Sequence, residues 1–138
     1  MSDVPAVVPM LSYQDGQAAM DWLARAFGFT EQTRWTDDDG RLTHGEMLAG
    51  GGLIMLASAP SEAYESPRTH REHCARAAEW SRTPYVINGV LVHVDDVDAH
   101  FEQARAAGAT MLGPIEDSVG RLYRVEDFEG HRWMFMQR

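Results

Sequence analysis

Hydrophobic and polar positions follow two periods along the chain, and their order predicts a regular series of elements. Segment 6–13, AVVPMLSY, has the composition of a strand. Apolar residues at helical spacing over 18–27 predict a helix, with Asp15 at the N-cap position and Gly28 as its C-terminal stop. Three further strands are predicted, joined by the turns DDDG and AGGG, at 29–36, 41–48 and 53–57. The first part of the chain therefore predicts the order β-α-β-β-β.

The second part of the chain repeats this order. Shifted back by 80 positions, residues 91–138 lie on residues 11–58 without a gap, with identical residues at 14 of 48 positions. Unrelated segments of average composition give about 3 such identities. The pattern predicts four strands, at 86–94, 110–115, 121–126 and 132–137. It also predicts a helix at 97–107, capped by Asp95 or Asp96. An internal duplication is the simplest interpretation.

We expect one domain over residues 1–138, with module 1 at about 5–58, a connector at 59–84 and module 2 at about 85–138. The connector is polar and contains several prolines, and one helix is predicted within it at 69–80. Right-handed crossovers place a helix on one side of each sheet, where it buries an apolar face. The fold class is therefore α+β, with two tandem βαβββ modules whose curved mixed sheet surrounds a cup and whose helices lie on the outer face.

Composition narrows the function classes. The chain of 138 residues is 44% hydrophobic, which is enough for a core, and it has no apolar stretch long enough to span a membrane. The net charge of −9 disfavours nucleic acid, whose phosphates require a basic face. Cys74 is the only cysteine and the N-terminus has no secretory signal pattern, so we expect a cytoplasmic protein.

Three phrases of the chain resemble the vicinal oxygen chelate superfamily, which includes glyoxalase I, extradiol dioxygenases and bleomycin-resistance proteins. They are DGQAAMDWLARAFGF at 15–29, VDDVDAHFEQARAAGA at 94–109 and VEDFEGHRWMFM at 125–136. The last is similar to the family's final DPxGHxW hairpin, with Phe128 in place of the usual proline. The resemblance covers nearly the whole chain apart from the connector. It is specific for the fold and weak for activity, because one fold hosts many functions.

The resemblance also implies where a metal would bind. Metal enzymes of the superfamily place ligands on the first and last strands of each module. Carried over to this chain, the positions are Val8, Ile54 or Met55, Asn88 or Gly89, and Met134 or Phe135. None is a His, Asp or Glu, which divalent first-row metals require. The resemblance therefore implies no metal and no other cofactor, as in the resistance-protein-like branch.

Six residues are candidates for ligand contacts. Trp35 offers a rigid aromatic surface and Met134 an adaptable apolar one. His44 and Glu46 share one face of a strand, as an acid–base pair, half of a metal site or an ordinary polar lining. The set is Trp35, His44, Glu46, His93, Tyr123 and Met134. A second cluster, His70, His73 and Cys74, would share one side of the predicted connector helix.

The favoured function is metal-independent binding or sequestration of a small organic molecule by a homodimer, with no nucleic-acid or membrane partner. The ligand is expected to be mainly apolar or aromatic, and the acidic net charge slightly favours a cation. One alternative is a metal-dependent lyase, isomerase or dioxygenase with relocated ligands at His44, Glu46 and His93. Another is a structural or regulatory module whose cavity is filled by its own side chains. No catalytic residue is assigned.

Overall fold

A computed structural model describes residues 4–138, so the first three residues of the N-terminal segment lie outside it. Sheet 1 has the strand order β1-β4-β3-β2, and α1 packs on one side of it. Its elements are β1 Met10–Tyr13, α1 Gly16–Phe27, β2 Thr30–Thr36, β3 Leu42–Ala49 and β4 Gly52–Ser58. β1 pairs with β4 in parallel, and the remaining pairs are antiparallel.

Sheet 2 repeats this arrangement with the order β5-β9-β8-β6, and a short β7 also pairs with β8. Its elements are β5 Gly89–Val94, α4 Val97–Ala106, β6 Thr110–Met111, β7 Glu116–Asp117, β8 Arg121–Glu126 and β9 Arg132–Gln137. The connector between the sheets carries α2 Pro67–His73 and α3 Ala75–Trp80. The predicted α+β class with two βαβββ modules is confirmed. No helix within residues 4–138 combines the length and apolar character that crossing a bilayer requires.

Local signals explain the two long helices. The Asp15 carboxylate accepts a hydrogen bond from the backbone N–H of Ala18 at 3.0 Å, which satisfies a free donor in the first turn of α1. Gly28 ends this helix with a φ of 73°, a conformation that glycine adopts without strain. Asp96 caps α4 in the same way, through the N–H of Ala99 at 3.1 Å. The predicted caps therefore set the helix starts.

An aromatic cluster joins the two modules on their helix-facing sides. Phe27, at the end of α1, lies 5.6 Å from Trp133 and 4.8 Å from Phe135 between ring centroids. Phe29 lies 5.4 Å from Trp133. All four rings are buried, so the two sheets share one apolar core through these contacts. The opposite side of each sheet points away from this core.

The β8–β9 turn, which carries the phrase DFEGH, has a structural role. Asp127 Oδ2 accepts hydrogen bonds from the Tyr13 hydroxyl at 2.7 Å and from Trp133 Nε1 at 3.2 Å. Glu129 accepts the backbone N–H groups of Gln14 and Asp15, at 2.7 and 2.9 Å. The turn therefore ties the second module to the end of β1, and its acidic groups are fully engaged there.

The connector differs from its prediction. Instead of one helix at 69–80, two short helices meet at Cys74, whose φ of −138° and ψ of 108° are extended. This break removes the common helix face on which His70, His73 and Cys74 were expected to meet. His73 instead bonds Glu65, with 2.7 Å between Nδ1 and Oε2.

The strand predicted at 110–115 also differs, because it divides into β6 and β7. Gly113 and Pro114 lie between the two pieces. Proline has no backbone N–H to donate to a neighbouring strand, and glycine weakens a strand interior. The chain therefore leaves β8 after Met111 and returns to it at Glu116.

Candidate functional site

Each sheet has one side that faces a helix and one that does not, and we call the second side its open face. On sheet 1, Met47 and Ile54 point to α1 and are buried, whereas Glu46 and Met55 pair with each other on the open face. On sheet 2, Trp133 and Phe135 face the helix side, and Met134 lies between them in sequence on the open face. Strand alternation therefore assigns the faces.

The open face of sheet 1 carries a bonded histidine and glutamate. His44 Nε2 donates to Glu46 Oε2 at 2.7 Å, and both side chains are partly buried. Trp35 stands opposite His44 in register, with 5.1 Å between the ring centroids, and is 62% exposed. A carboxylate that holds one imidazole nitrogen leaves the other free to accept a proton. This trio combines an aromatic surface with a polar pair.

The open face of sheet 2 forms one wall of a cavity of about 300 Å³. This volume is at the lower end of the range for small-molecule sites, which starts at about 300 Å³. Met134 lines the cavity together with Arg124, its direct partner in register on β8. The other lining residues come from the segment that leads into β5, from β5 and β9, and from just after β6: Pro84, Tyr85, Ile87, Asn88, Gly89, Val90, Leu91, Leu112, Arg132 and Trp133.

Arg132 holds the connector wall of this cavity in place. Its Nη1 donates to the Thr83 carbonyl at 2.8 Å, and its Nη2 donates to the Ser81 carbonyl at 2.6 Å. Its Nε donates to Glu126 at 2.9 Å. Only 4% of the Arg132 side chain is exposed. The guanidinium is therefore fully occupied, and its contacts fix the backbone that leads into segment 84–88.

Glu126 connects this wall to α2. Arg71 donates to its two oxygens at 2.6 and 2.7 Å, so the carboxylate is held between two arginines. Burial alone would raise the pKa of Glu126, but the hydrogen bonds and charges of Arg71 and Arg132 outweigh it and lower that pKa. The connector therefore lies on the open face of sheet 2, fastened by a buried ionic network.

Tyr123 differs from its expected place at the ligand site. It lies on the helix-facing side of β8 and is fully buried, where its hydroxyl donates to His100 Nδ1 at 2.6 Å. His100 Nε2 in turn donates to the Phe27 carbonyl at 2.9 Å. Burial raises the pKa of Tyr123 and lowers the pKa of His100. Both side chains therefore lie in the contact between the modules, away from the open faces.

The structure thus divides the other predicted site residues between two surfaces. Trp35, His44 and Glu46 meet on sheet 1. Met134 and His93 lie on the open face of sheet 2, where His93 is exposed near the edge of the sheet. Arg124 was missed, although its spacing of two residues from Glu126 marks it as a neighbour on the same strand face.

The positions at which the superfamily holds metal do not fit a metal here. Val8 precedes β1, Met55 and Met134 lie on the open faces, and Gly89 begins β5, and none of these four side chains has a nitrogen or oxygen ligand atom. The alternative at the third position, Asn88, precedes β5 and offers one neutral amide oxygen, which is too little for a divalent metal site. In the described part of the chain, no three His, Cys, Asp or Glu side chains are grouped so that they could hold a metal ion. This includes the relocated set of His44, Glu46 and His93.

Comparisons with known proteins agree on the fold. TioX from Micromonospora sp. ML1 superimposes with a TM-score of 0.70 at 33% identity, over 97% of this chain and 96% of TioX. The fosfomycin resistance protein FosX from Listeria monocytogenes gives 0.64 at 16% identity, over 99% and 95% of the two chains, which shows a common fold alone.

Sequence comparison gives the same result. An uncharacterized protein of Mycobacterium bovis is 33% identical over 139 residues, which span 96% of this chain and 83% of the relative. A relative in Mycobacterium tuberculosis has the same identity, over 74% of its length. The family model of the Glyoxalase/Bleomycin resistance protein/Dioxygenase superfamily matches residues 7–135. The chain belongs to this superfamily.

Proposed function

We propose that the protein binds a small organic molecule, without a metal, in the cavity on the open face of sheet 2. The observation that carries this proposal is the cavity itself, which is open, largely apolar and lined by Met134 at a position where a metal enzyme of the superfamily needs a ligand. Apolar burial would supply most of the affinity and a few polar groups the orientation. A single cysteine is compatible with action in the reducing cytoplasm.

A homodimer would complete this site. The open face of sheet 1 leaves Trp35 62% exposed and Met10 80% exposed, together with Leu48, and the open face of sheet 2 leaves Leu91 exposed. Apolar patches rimmed by polar groups are typical of interaction surfaces. We therefore propose that the open face of sheet 1 in one protomer covers the open face of sheet 2 in its partner. His44 and Glu46 would then lie in the contact between the protomers beside the cavity, with the Glu46 carboxylate engaged by His44.

Sedimentation tests the dimer. The wild-type protein is expected to sediment as a dimer, and Trp35→Glu as a monomer, because the substitution places a charge in the contact. Val119→Glu is the matched control, since Val119 is 86% exposed in the turn between β7 and β8 and does not line the cavity. A wild-type protein that stays monomeric at micromolar concentration would refute the shared site.

Binding is tested with N-phenylnaphthylamine, a neutral aromatic dye whose fluorescence rises in apolar surroundings. We expect saturable binding that survives dialysis against a chelator. Met134→Glu should weaken it about tenfold or more, because a carboxylate replaces apolar contact area. Val119→Glu again serves as the control. A stoichiometric metal whose removal abolishes binding would overturn the metal-independent proposal.

The bonded pair of His44 and Glu46 supports an enzyme as the second candidate. A histidine whose second nitrogen is free can act as a general base when a substrate hydroxyl or C–H lies near it. Glu46→Gln separates the two functions. It should leave dye binding intact if the protein only binds, and it should abolish turnover with binding retained if the pair is catalytic. A solid, ligand-free structural module is disfavoured by the 300 Å³ cavity.

A further inference from the structure

The cavity on sheet 2 has a clear charge preference. Its lining includes two arginines, Arg124 and Arg132, and the rest of the described lining is apolar or uncharged. No Asp or Glu is among these lining residues. Each of these arginines is paired with a carboxylate outside the lining, Glu116 or Glu126, and Arg71 shares Glu126. The lining itself therefore presents positive rather than negative groups, opposite in sign to the net charge of −9 on the whole chain. A ligand inside the cavity responds to the groups that touch it, because more distant charges are screened over about 10 Å.

Of the two arginines, only Arg124 has donors to offer. The guanidinium of Arg132 is buried and bonded to Glu126, Ser81 and Thr83. Arg124 has one protein partner in the described part of the chain, with its Nη1 donating to Glu116 Oε1 at 3.1 Å. Its Nε and Nη2 are available for another acceptor.

The surroundings of Arg124 make an anion a suitable partner. Arg124 is paired with Met134 across the strands, and Leu91 lies beside Met134 on β5. These apolar neighbours lower the local polarity and strengthen a charged hydrogen bond. A guanidinium can also bind a carboxylate or sulfonate through two donors at once.

We propose that the ligand of this cavity is an apolar or aromatic molecule with one anionic group, and that Arg124 binds that group. The aromatic body would lie against Leu91, Leu112 and Met134. This inference rests on the proposed binding function and adds the charge of the ligand to it. It opposes the cation that the overall acidity of the chain would favour.

A pair of dyes that differ in one charged group tests the inference. Anilinonaphthalene sulfonate has the scaffold of N-phenylnaphthylamine with an added sulfonate. The wild-type protein should bind the sulfonate dye more tightly than the neutral one, and added salt should reduce that difference. Arg124→Gln should weaken binding of the sulfonate dye about five- to tenfold and leave binding of the neutral dye unchanged.

Two further variants sharpen the test. Arg121→Gln removes an arginine from the same strand that bonds Asp98 and Asp117 outside the cavity, so both dyes should bind it as they bind the wild type. Glu116→Gln removes the competing partner of Arg124 and should strengthen binding of the sulfonate dye about two- to threefold. Arg124→Gln and Glu116→Gln should therefore change the affinity for the sulfonate dye in opposite directions.

The outcomes separate this inference from the function on which it rests. If the neutral dye binds and the sulfonate dye binds no more tightly, or if Arg124→Gln affects both dyes equally, the anionic-ligand inference is overturned and the binding function stands. If neither dye binds the folded protein, the proposed function fails and the inference fails with it. Tighter sulfonate binding that depends on Arg124 supports both.

Discussion

The ionic network around Glu126 gives the sharpest prediction about stability. Its side chain is 1% exposed and lies between Arg71, which is 23% exposed, and Arg132, which is 4% exposed. Glu126→Gln keeps the shape of the side chain and removes its charge. Two guanidinium groups then face a neutral amide, and Arg132 has no route to water.

The expected cost follows from that burial. Removing one partner of a buried ion pair costs about 3–5 kcal/mol, because it leaves an uncompensated charge. We expect the lower end, about 3 kcal/mol, since Arg71 is partly exposed and can turn towards solvent. For a chain of this length, about 1 kcal/mol corresponds to roughly 3–5 °C in Tm. The Tm of Glu126→Gln should therefore fall by about 10 °C.

The effect should also depend on pH. The folded-state pKa of Glu126 lies below its ordinary value of 4.5. The contribution of its charge to the free energy of unfolding is therefore fully present above that pH and is lost as the pH falls through the folded-state pKa. Urea unfolding at pH 7 and at pH 3.5 measures this dependence, and the difference in unfolding free energy between wild type and variant should be smaller at the lower pH. Limited trypsin digestion adds a local readout, because a released connector should be cut at Arg76 or Arg82.

Glu102→Gln is the matched control. Glu102 pairs with Arg105 on the exposed surface of α4, and such pairs contribute about 0.2–0.5 kcal/mol. If Glu126→Gln melts within about 2 °C of this control, which corresponds to less than about 1 kcal/mol, then the buried network does not fasten the connector. The reasoning from burial to stability would be refuted.

Two further predictions concern the contact between the modules. Burial lowers the pKa of His100 below its ordinary value of 6.5, so the unfolded chain binds more protons and stability should decrease as the pH falls from about 7 towards 5. His100→Gln should flatten this dependence in urea unfolding, and an unchanged slope would assign it to another group. Gly50→Ala should cost at least about 2 kcal/mol, because its φ is +57° and a Cβ would lie 2.6 Å from the His93 carbonyl oxygen. Gly108→Ala has a φ of +92° with open space around it and should cost only about 1 kcal/mol, so equal costs would rule out the steric term.

The fold was accessible from the sequence because its signals are local. Asp15 and Gly28 cap α1 as predicted, since an N-cap carboxylate and a left-handed glycine act on the turn next to them. The breaks at Cys74 and around Pro114 were missed. The helical pattern of the connector continues across Cys74, so the sequence does not show the break between α2 and α3. The break goes with tertiary contacts that hold α2, such as that of Arg71 with Glu126.

The site was less accessible, because strand faces are assigned by packing. In β8, Leu122, Arg124 and Glu126 share one face, and Tyr123 and Val125 share the other. One face combines a leucine with two charged residues, and the other combines a valine with a tyrosine whose hydroxyl can also contact a ligand, so the pattern alone did not place Tyr123 against α4. Tyr123 was therefore expected at the ligand site, whereas the structure places Arg124 on that face.

The duplicated modules also differ in a way that an ungapped alignment hides. That alignment pairs Glu46 with Glu126. In the structure, Glu46 is the cross-strand partner of Met55, and Arg124 is the partner of Met134. The reason is the turn, because β3 and β4 close at Ala49 and Gly52 whereas β8 and β9 are joined by the longer segment 127–131.

Equivalent positions on the two open faces therefore carry opposite charges. Glu46 is bonded to His44 on sheet 1, whereas Arg124 lies in a cavity on sheet 2 whose wall the connector supplies. Each is the cross-strand partner of a methionine, Met55 for Glu46 and Met134 for Arg124. We therefore expect the ligand's charge to follow from Arg124, which lines the cavity, rather than from the net charge of the chain.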